Sequence, residues 1–208
     1  MQIGIIGAGN IGGTLARLWA DAGHPVMVSS RHPETLRDLV RNIGSNAYSG
    51  PVEEAIAFGK VLLLAIPLKG LSEIVPAIEE HFDGEVVMDA MNPFPGRDGE
   101  IANTILNRGI ASGVATQEQL KRRKVVRAFS SVYYSDLQTE SGREEHPVAI
   151  PIAGNDPEAK QVAADLIRDA GFVPHDLGSL ADSKPLDPGG ILFGKTYTLE
   201  QIRSALGD

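Results

Sequence analysis

Three glycines near the start of the chain, Gly7, Gly9 and Gly12, stand at the spacing Gly-x-Gly-x-x-Gly. Between a strand and a helix, the first permits a tight turn, the second lets the backbone approach a pyrophosphate, and the third lets the helix pack closely on the strand. The helix N-terminus then offers free N–H groups and the positive end of its dipole to the phosphates. The candidate dinucleotide-binding residues are Gly7, Ala8, Gly9, Asn10, Ile11 and Gly12.

The setting of the motif matters, because glycines also mark ordinary turns. An apolar strand is predicted at residues 2–6, directly before the motif, and an amphipathic helix at residues 11–22, directly after it. A second apolar strand follows at residues 26–29, the distance expected of a dinucleotide-binding unit. This context favours pyrophosphate binding over a simple strand-to-helix turn.

The end of the second strand distinguishes NADP from NAD. NAD-binding folds usually carry Asp or Glu there, which holds the ribose 2′-hydroxyl and repels a 2′-phosphate. Here Ser29, Ser30 and Arg31 occupy that position. A serine hydroxyl donates to phosphate, and a guanidinium forms charge-assisted, forked hydrogen bonds with it. The sequence therefore favours NADP(H), the alternative being a surface arginine in a turn.

Two later strand ends are expected at the same edge of the sheet. The fourth predicted strand ends in Ala65, Ile66 and Pro67, and its terminal backbone should border the nicotinamide ribose. Asn92 follows the fifth strand and is the next polar group in that crevice. It either contacts the cofactor or serves only the turn that Asn92 and Pro93 form.

Residues for acid–base, nucleophilic or metal chemistry do not form a recognisable set. The chain has no cysteine, and its five histidines lack metal-ligand spacing, so no metal site is predicted. Hydride transfer between stacked rings requires approach and orientation rather than a side-chain acid. A flavin-type acceptor is therefore predicted between residues 92–99 and 130–134, with Pro93, Ser130 and Tyr133 as candidate contacts.

Short apolar runs alternate with amphipathic stretches, which predicts a parallel α/β sheet. The predicted strands are residues 2–6, 26–29, 46–48, 61–66, 85–89, 125–129, 148–153 and 173–176. Helices are predicted at residues 11–22, 34–41, 52–58, 71–81, 116–122 and 198–205, and after a cap at Asp156. Loops are predicted at residues 92–99 and 179–194. We expect one Rossmann-type, doubly wound domain over residues 1–208, with residues 175–208 as an extension at a dimer interface or over the site.

Composition excludes several classes of partner. The hydrophobic fraction of 42% and charged fraction of 22% are those of a globular chain with a core. A formal charge of −8 argues against nucleic acid or an anionic membrane as the main partner. The absence of a long apolar run and of room for a signal peptide before the first strand predicts a cytoplasmic protein.

Several segments together carry a family resemblance. They are Gly7 to Gly12, Ser30-Arg31, Ala65-Ile66-Pro67, the run Val-Val-Arg-Ala-Phe at 125–129, Pro151 to Asp156, and Asp176 to Ser183. In these the chain resembles the coenzyme F-420-dependent NADP oxidoreductases, a family that includes the cytosolic domains of the STEAP metalloreductases. Departures from the family pattern include Ser130-Ser131, where members often have Asn-Thr or His-Thr.

The resemblance implies a Rossmann domain with a small C-terminal extension, commonly a homodimer. It implies reversible hydride transfer between NADP(H) and a deazaflavin (coenzyme F-420) or flavin ring. Ser30 and Arg31 would hold the 2′-phosphate, while Ala65, Ile66 and Pro67 would line the nicotinamide end. Two other functions stay open: a non-catalytic NADP(H) sensor, and a reductase of a small imine or carbonyl with Tyr133 or Tyr134 as proton donor.

Overall fold

Eight short runs of residues form one sheet in the computed structural model, which describes residues 1–207. The strands are β1 (Ile3–Ile6), β2 (Val26–Ser29), β3 (Ala47–Gly50), β4 (Val61–Leu64), β5 (Val86–Asp89), β6 (Lys124–Arg127), β7 (Ala149–Gly154) and β8 (Val173–Asp176). Their order is β3-β2-β1-β4-β5-β6-β7-β8. Every neighbouring pair is parallel except β6 and β7. The predicted α/β class and mostly parallel, doubly wound sheet are confirmed.

Ten α-helices connect or flank these strands in the described chain. They are α1 (Asn10–Asp21), α2 (Arg37–Ile43), α3 (Val52–Phe58), α4 (Leu71–His81), α5 (Pro95–Asp98), α6 (Glu100–Arg108), α7 (Ser112–Gln119), α8 (Tyr134–Thr139), α9 (Pro157–Asp169) and α10 (Leu199–Leu206). Short 3₁₀ segments cover Pro33–Leu36, Leu68–Gly70 and Leu180–Leu186. None of the helices described is both long and apolar enough to cross a membrane.

Alternating side chains of the strands build a separate apolar core on each face of the sheet. On one face Ile3 and Ile5 pack with Trp19 of α1, whose indole N–H donates to the Leu166 carbonyl at 2.8 Å. On the other face Leu62 and Leu64 pack with helices α3, α4, α6 and α7. Burying each of these large side chains contributes roughly 1.5–3 kcal/mol. The double-sided burial explains why the strands are continuously apolar.

The predicted helix at residues 116–122 begins earlier, because a distant residue caps it. Helix α7 starts at Ser112, whose backbone N–H donates to Asp187 Oδ2 at 2.9 Å and whose hydroxyl donates to Oδ1. That partner lies 75 residues away and leaves no local signal. By contrast, the predicted cap of α9 is confirmed, since Asp156 accepts from Ala159 N at 2.8 Å.

Several segments predicted as loop or left unassigned are helical. The loop at 92–99 contains α5, and 179–194 contains the 3₁₀ segment Leu180–Leu186. Helices α6 and α8 were not predicted. Gly99 before α6 and Gly109 after it both have positive φ. These two glycines were the sequence signals for the beginning and the end of α6.

Strand β6 is shorter than the predicted 125–129. It ends at Arg127, because Phe129 turns into the left-handed region with φ of 58°. A buried phenylalanine seldom adopts this conformation. The turn places the Phe129 ring 6.0 Å from the Trp19 ring in an edge-on contact. It also directs the following chain over the carboxyl end of the sheet.

Candidate functional site

The turn between β1 and α1 can be built only with glycine at two of its positions. Gly7 has φ of 109°, and a Cβ placed on it would lie 2.5 Å from the Ala65 carbonyl oxygen. A Cβ on Gly12 would lie 2.0 Å from the Gly7 carbonyl oxygen. Both distances are far below van der Waals contact, so these residues permit the tight turn and the close approach of helix to strand.

Gly9 differs, because nothing in the described chain needs it to be small. It precedes α1 with φ of −73°, and a Cβ added there would meet no atom within 4 Å. The space in front of it is therefore open. A ligand approaching the N-terminus of α1 would occupy that space, next to backbone N–H groups that have no partner within the helix.

The carboxyl ends of β1, β2 and β4 form a cleft of about 240 Å³ beside this turn. It is called the adenosine cleft, after the half of the dinucleotide that the sequence predicts there. Gly7, Ala8, Ser29, Ser30, Arg31, Ile66 and Pro67 line it, together with Val52, Lys69, Gly70, Glu73 and Ile74. Arg31 is exposed and has no ion pair or hydrogen bond within residues 1–207. Its guanidinium charge is thus available to an anion.

The two serines before Arg31 are already engaged. The buried Ser29 hydroxyl donates to the Ile5 carbonyl at 3.0 Å and joins β2 to β1. Ser30 Oγ accepts from the His32 N–H at 3.1 Å, which shapes the turn and leaves its own proton to donate. Of the pair, Ser30 therefore retains a hydrogen-bond donor for a ligand.

A second cleft of about 250 Å³ continues past the same turn, over the ends of β4 and β5. It is lined by Asn10, Ile11, Ala65, Ile66, Pro67, Ala90, Met91, Asn92, Phe94 and Arg97. Ile66 and Pro67 line both clefts, so the two are adjacent. A dinucleotide lying across the glycine turn would place one half in each cleft.

Asn92 is fixed in one orientation in this second cleft. Its Nδ2 donates to the Ser130 carbonyl at 2.7 Å, and its Oδ1 accepts from Arg127 at 3.0 Å. One N–H of Nδ2 and one lone pair of Oδ1 remain for a ligand. The amide therefore has a structural role in its turn and retains the capacity to bind.

The remaining candidates surround the cleft without lining it in the described part of the chain. Pro93 and Ser130 are buried, and the Ser130 hydroxyl has no partner among the described residues. Tyr133 is 57% exposed, and its hydroxyl lies beside Gly194. Their contact with a substrate stays a prediction.

A buried charged network behind the second cleft was missed by sequence reasoning. The Arg127 guanidinium lies 3.2 Å from Asp89 Oδ1 and 3.2 Å from Asp187 Oδ1, and all three side chains are almost fully buried. The signal available was charge within apolar runs, namely Asp89 and Arg127 at the ends of their strands. Asp187, in a segment predicted as a loop, had no such signal.

Burial raises the pKa of Asp89 above its ordinary value, and the nearby Arg127 charge and the Thr116 hydrogen bond only partly oppose this. Because the folded state holds this proton more tightly than the unfolded chain, the Asp89 contribution to stability is present below the ordinary Asp pKa. It is lost as the pH rises through the raised pKa.

Asp89→Asn cannot titrate, so the wild type is expected to lose stability relative to this variant as the pH rises. Across the interval between the two pKa values, the difference in unfolding free energy should change by about 1.4 kcal/mol per pH unit. Urea denaturation of both proteins at steps from about pH 4 to about pH 8 measures it. A difference that does not vary with pH would show that Arg127 keeps Asp89 ionised.

Residues 2–93 match the model of the family described as NADP oxidoreductase, coenzyme F-420-dependent. Among curated proteins, the chain is 24% identical over 186 residues to metalloreductase STEAP3 of Rattus norvegicus, covering 89% of this chain and 36% of STEAP3. It is 31% identical over 85 residues to glycerol-3-phosphate dehydrogenase (NAD(P)+) of Corynebacterium jeikeium, covering 35% of this chain and 26% of that protein. The chain thus spans about a third or less of the length of these relatives.

Solved structures resemble the chain over nearly its whole length. The hypothetical protein SMa0349 of Sinorhizobium meliloti superposes with a TM-score of 0.82 at 28% identity, covering 95% of each chain. A putative F-420-dependent NADP reductase of Arthrobacter sp. FB24 gives a TM-score of 0.70 at 20% identity, covering 100% of this chain and 95% of that one. At 20% identity, the similarity to the Arthrobacter protein supports a shared fold alone.

Proposed function

Given that residues 2–93 carry the confirmed resemblance to the coenzyme F-420-dependent NADP oxidoreductases, we propose that the chain binds NADP(H) and transfers hydride between it and a deazaflavin, flavin or similar redox carrier. The observation that carries the proposal is the pair of adjacent clefts that meet at the glycine turn. Arg31, which has no partner among residues 1–207, lines one of them, and backbone at the strand ends lines the other. This arrangement matches the two unequal halves of NADP(H).

The second cleft supports ring-to-ring transfer better than reduction of a carbonyl. Hydride transfer to a flavin-type ring needs orientation, whereas a carbonyl or imine substrate also needs a proton donor near the nicotinamide. Burial alone would raise the pKa of Asp98, but hydrogen bonds from Arg97, Phe94 N and Lys69 N outweigh burial and lower it. Asp98, whose neighbour Arg97 lines this cleft, is therefore ionised at neutral pH and cannot donate a proton.

The C-terminal segment supports a further part of the proposal, that residues 175–208 border the acceptor. The Phe193 ring lies 6.1 Å from the Phe94 ring, and Gly194 N donates to the Ser131 carbonyl at 2.7 Å. Because Phe94 lines the second cleft, the first of these contacts brings the segment to the rim of that cleft. We likewise propose a single domain, as the unbroken alternation of strands and helices predicts, and a homodimer, as the family resemblance implies.

The test is steady-state oxidation of NADPH and NADH with a flavin, a deazaflavin and a quinone as separate acceptors. We expect turnover with at least one acceptor and a clear preference for NADPH. NADPH binding without any turnover would contradict hydride transfer to these carriers and support the redox-sensor function. Turnover of a small imine or carbonyl that Tyr133→Phe or Tyr134→Phe abolishes would support the reductase function instead.

A further inference from the structure

Arg127 is the largest charged side chain in the core and makes most of its hydrogen bonds to the end of β5 and the loop that follows it. It lies on β6 with no exposed surface. Its Nη1 donates to the Met91 carbonyl and, at 3.3 Å, to the Asp89 carbonyl. Its Nη2 donates to Asn92 Oδ1 at 3.0 Å. The guanidinium thus holds three positions at the end of β5 and in the loop after it, namely Asp89, Met91 and Asn92.

Stability alone does not account for a guanidinium at this place. A buried ion pair can often be replaced by apolar residues without loss of stability, because desolvation offsets its attraction. Here the guanidinium is shared by Asp89 and Asp187, and its Nε has no partner among residues 1–207. Unlike an apolar side chain, Arg127 holds the Met91 carbonyl and the Asn92 amide in defined positions.

Met91 and Asn92 are themselves part of the wall of the second cleft. Resting on the proposed function, we infer that Arg127 is a positioning residue for the nicotinamide half of NADP(H). It acts from behind the cleft through the loop after β5. The adenosine half binds between β2 and α4, which Arg127 does not contact. Replacing the Arg127 guanidinium should therefore weaken binding of the nicotinamide half only.

The chain supplies a matched control in Arg123, which immediately precedes β6 at the amino end of the strand, away from the clefts. Its side chain is also largely buried, at 12% exposure, and donates to the carbonyls of Gly84 and Ile78 at 3.0 Å each. A lysine at either position keeps the charge but loses the planar fork that bonds two acceptors at once. The two substitutions therefore disturb similar hydrogen bonds, one near the cleft and one remote from it.

The experiment is calorimetric titration of Arg127→Lys, Arg123→Lys and the wild type with NADP⁺ and with 2′,5′-ADP, which lacks the nicotinamide half. For Arg127→Lys we expect binding of NADP⁺ to weaken about tenfold and binding of 2′,5′-ADP to stay within about twofold of the wild type. Arg123→Lys should bind both ligands as the wild type does. Equal weakening of both ligands, or no weakening of either, in Arg127→Lys overturns the inference.

A second variant keeps the test decisive if Arg127→Lys does not fold. Asn92→Ala removes the side chain that Arg127 holds and leaves the buried charges paired, so it should show the same selective loss of NADP⁺ binding. Wild-type binding of the two ligands separates the hypotheses. If the wild type binds neither, the proposed cofactor is wrong. If it binds both and Asn92→Ala shows no selective loss, the positioning role is wrong.

Discussion

Arg31→Ala is expected to weaken binding of NADPH about ten- to a hundredfold while leaving binding of NADH nearly unchanged. Arg31 lines the adenosine cleft at the end of β2 and has no partner within the described chain. A charge-assisted hydrogen bond to phosphate contributes about 1.5–3 kcal/mol, and only the phosphorylated cofactor can accept it at this position. The dissociation constants of both cofactors, measured by fluorescence or calorimetry, provide the comparison.

Arg203→Ala is a suitable control for this prediction. Arg203 is exposed on α10, which does not line the adenosine cleft, and its loss removes the same net charge from the chain. We expect it to leave binding of both cofactors unchanged. If Arg31→Ala weakens NADPH and NADH equally, Arg31 does not contact the 2′-phosphate, and the preference for NADP would need another origin.

Gly9→Ala and Gly12→Ala are expected to separate cofactor binding from folding. The open space before Gly9 accommodates a methyl group, so Gly9→Ala should change the unfolding free energy by no more than about 0.5 kcal/mol. It should nevertheless weaken NADPH binding at least tenfold, by about 1.4 kcal/mol, because the methyl group occupies the path of the pyrophosphate. Gly12→Ala should destabilise the fold by about 3 kcal/mol or more, since its Cβ would overlap the Gly7 carbonyl.

Urea denaturation and NADPH titration of the two variants measure these effects. The informative result is the difference between them. A Gly9→Ala protein that is stable and binds NADPH as the wild type does would show that the pyrophosphate does not bind at this turn. The candidate cofactor site would then fail as a whole, irrespective of the behaviour of Gly12→Ala.

The part of the fold nearest the N-terminus was the most predictable from sequence. The predicted β1, glycine turn, α1 and β2 correspond to the observed elements within a residue at each boundary. Each signal there is local: an apolar run, a glycine at fixed spacing, an amphipathic helix. The cap of α9 at Asp156 was predictable for the same reason, because a capping side chain bonds to a backbone N–H three residues away.

The second cleft was less predictable, because distant contacts determine it. Asn92 was identified as a polar residue at a strand end, but its two hydrogen bonds come from β6 and the turn after it. The beginning of α7 depends on Asp187, and the end of β6 depends on the turn at Phe129. Neither periodicity nor spacing indicates which remote side chain supplies a missing donor or acceptor.

The position of Asp187 has a consequence for how the protein is made. Ribosomes synthesise a chain from its N-terminus, and the segments that line the adenosine cleft all lie before residue 75. Arg127 emerges some 50 residues later, and Asp187, which shares its charge, emerges later still. A nascent chain would therefore complete the proposed adenosine half of the site well before the proposed nicotinamide half, and full recognition of the dinucleotide would have to await synthesis of Asp187.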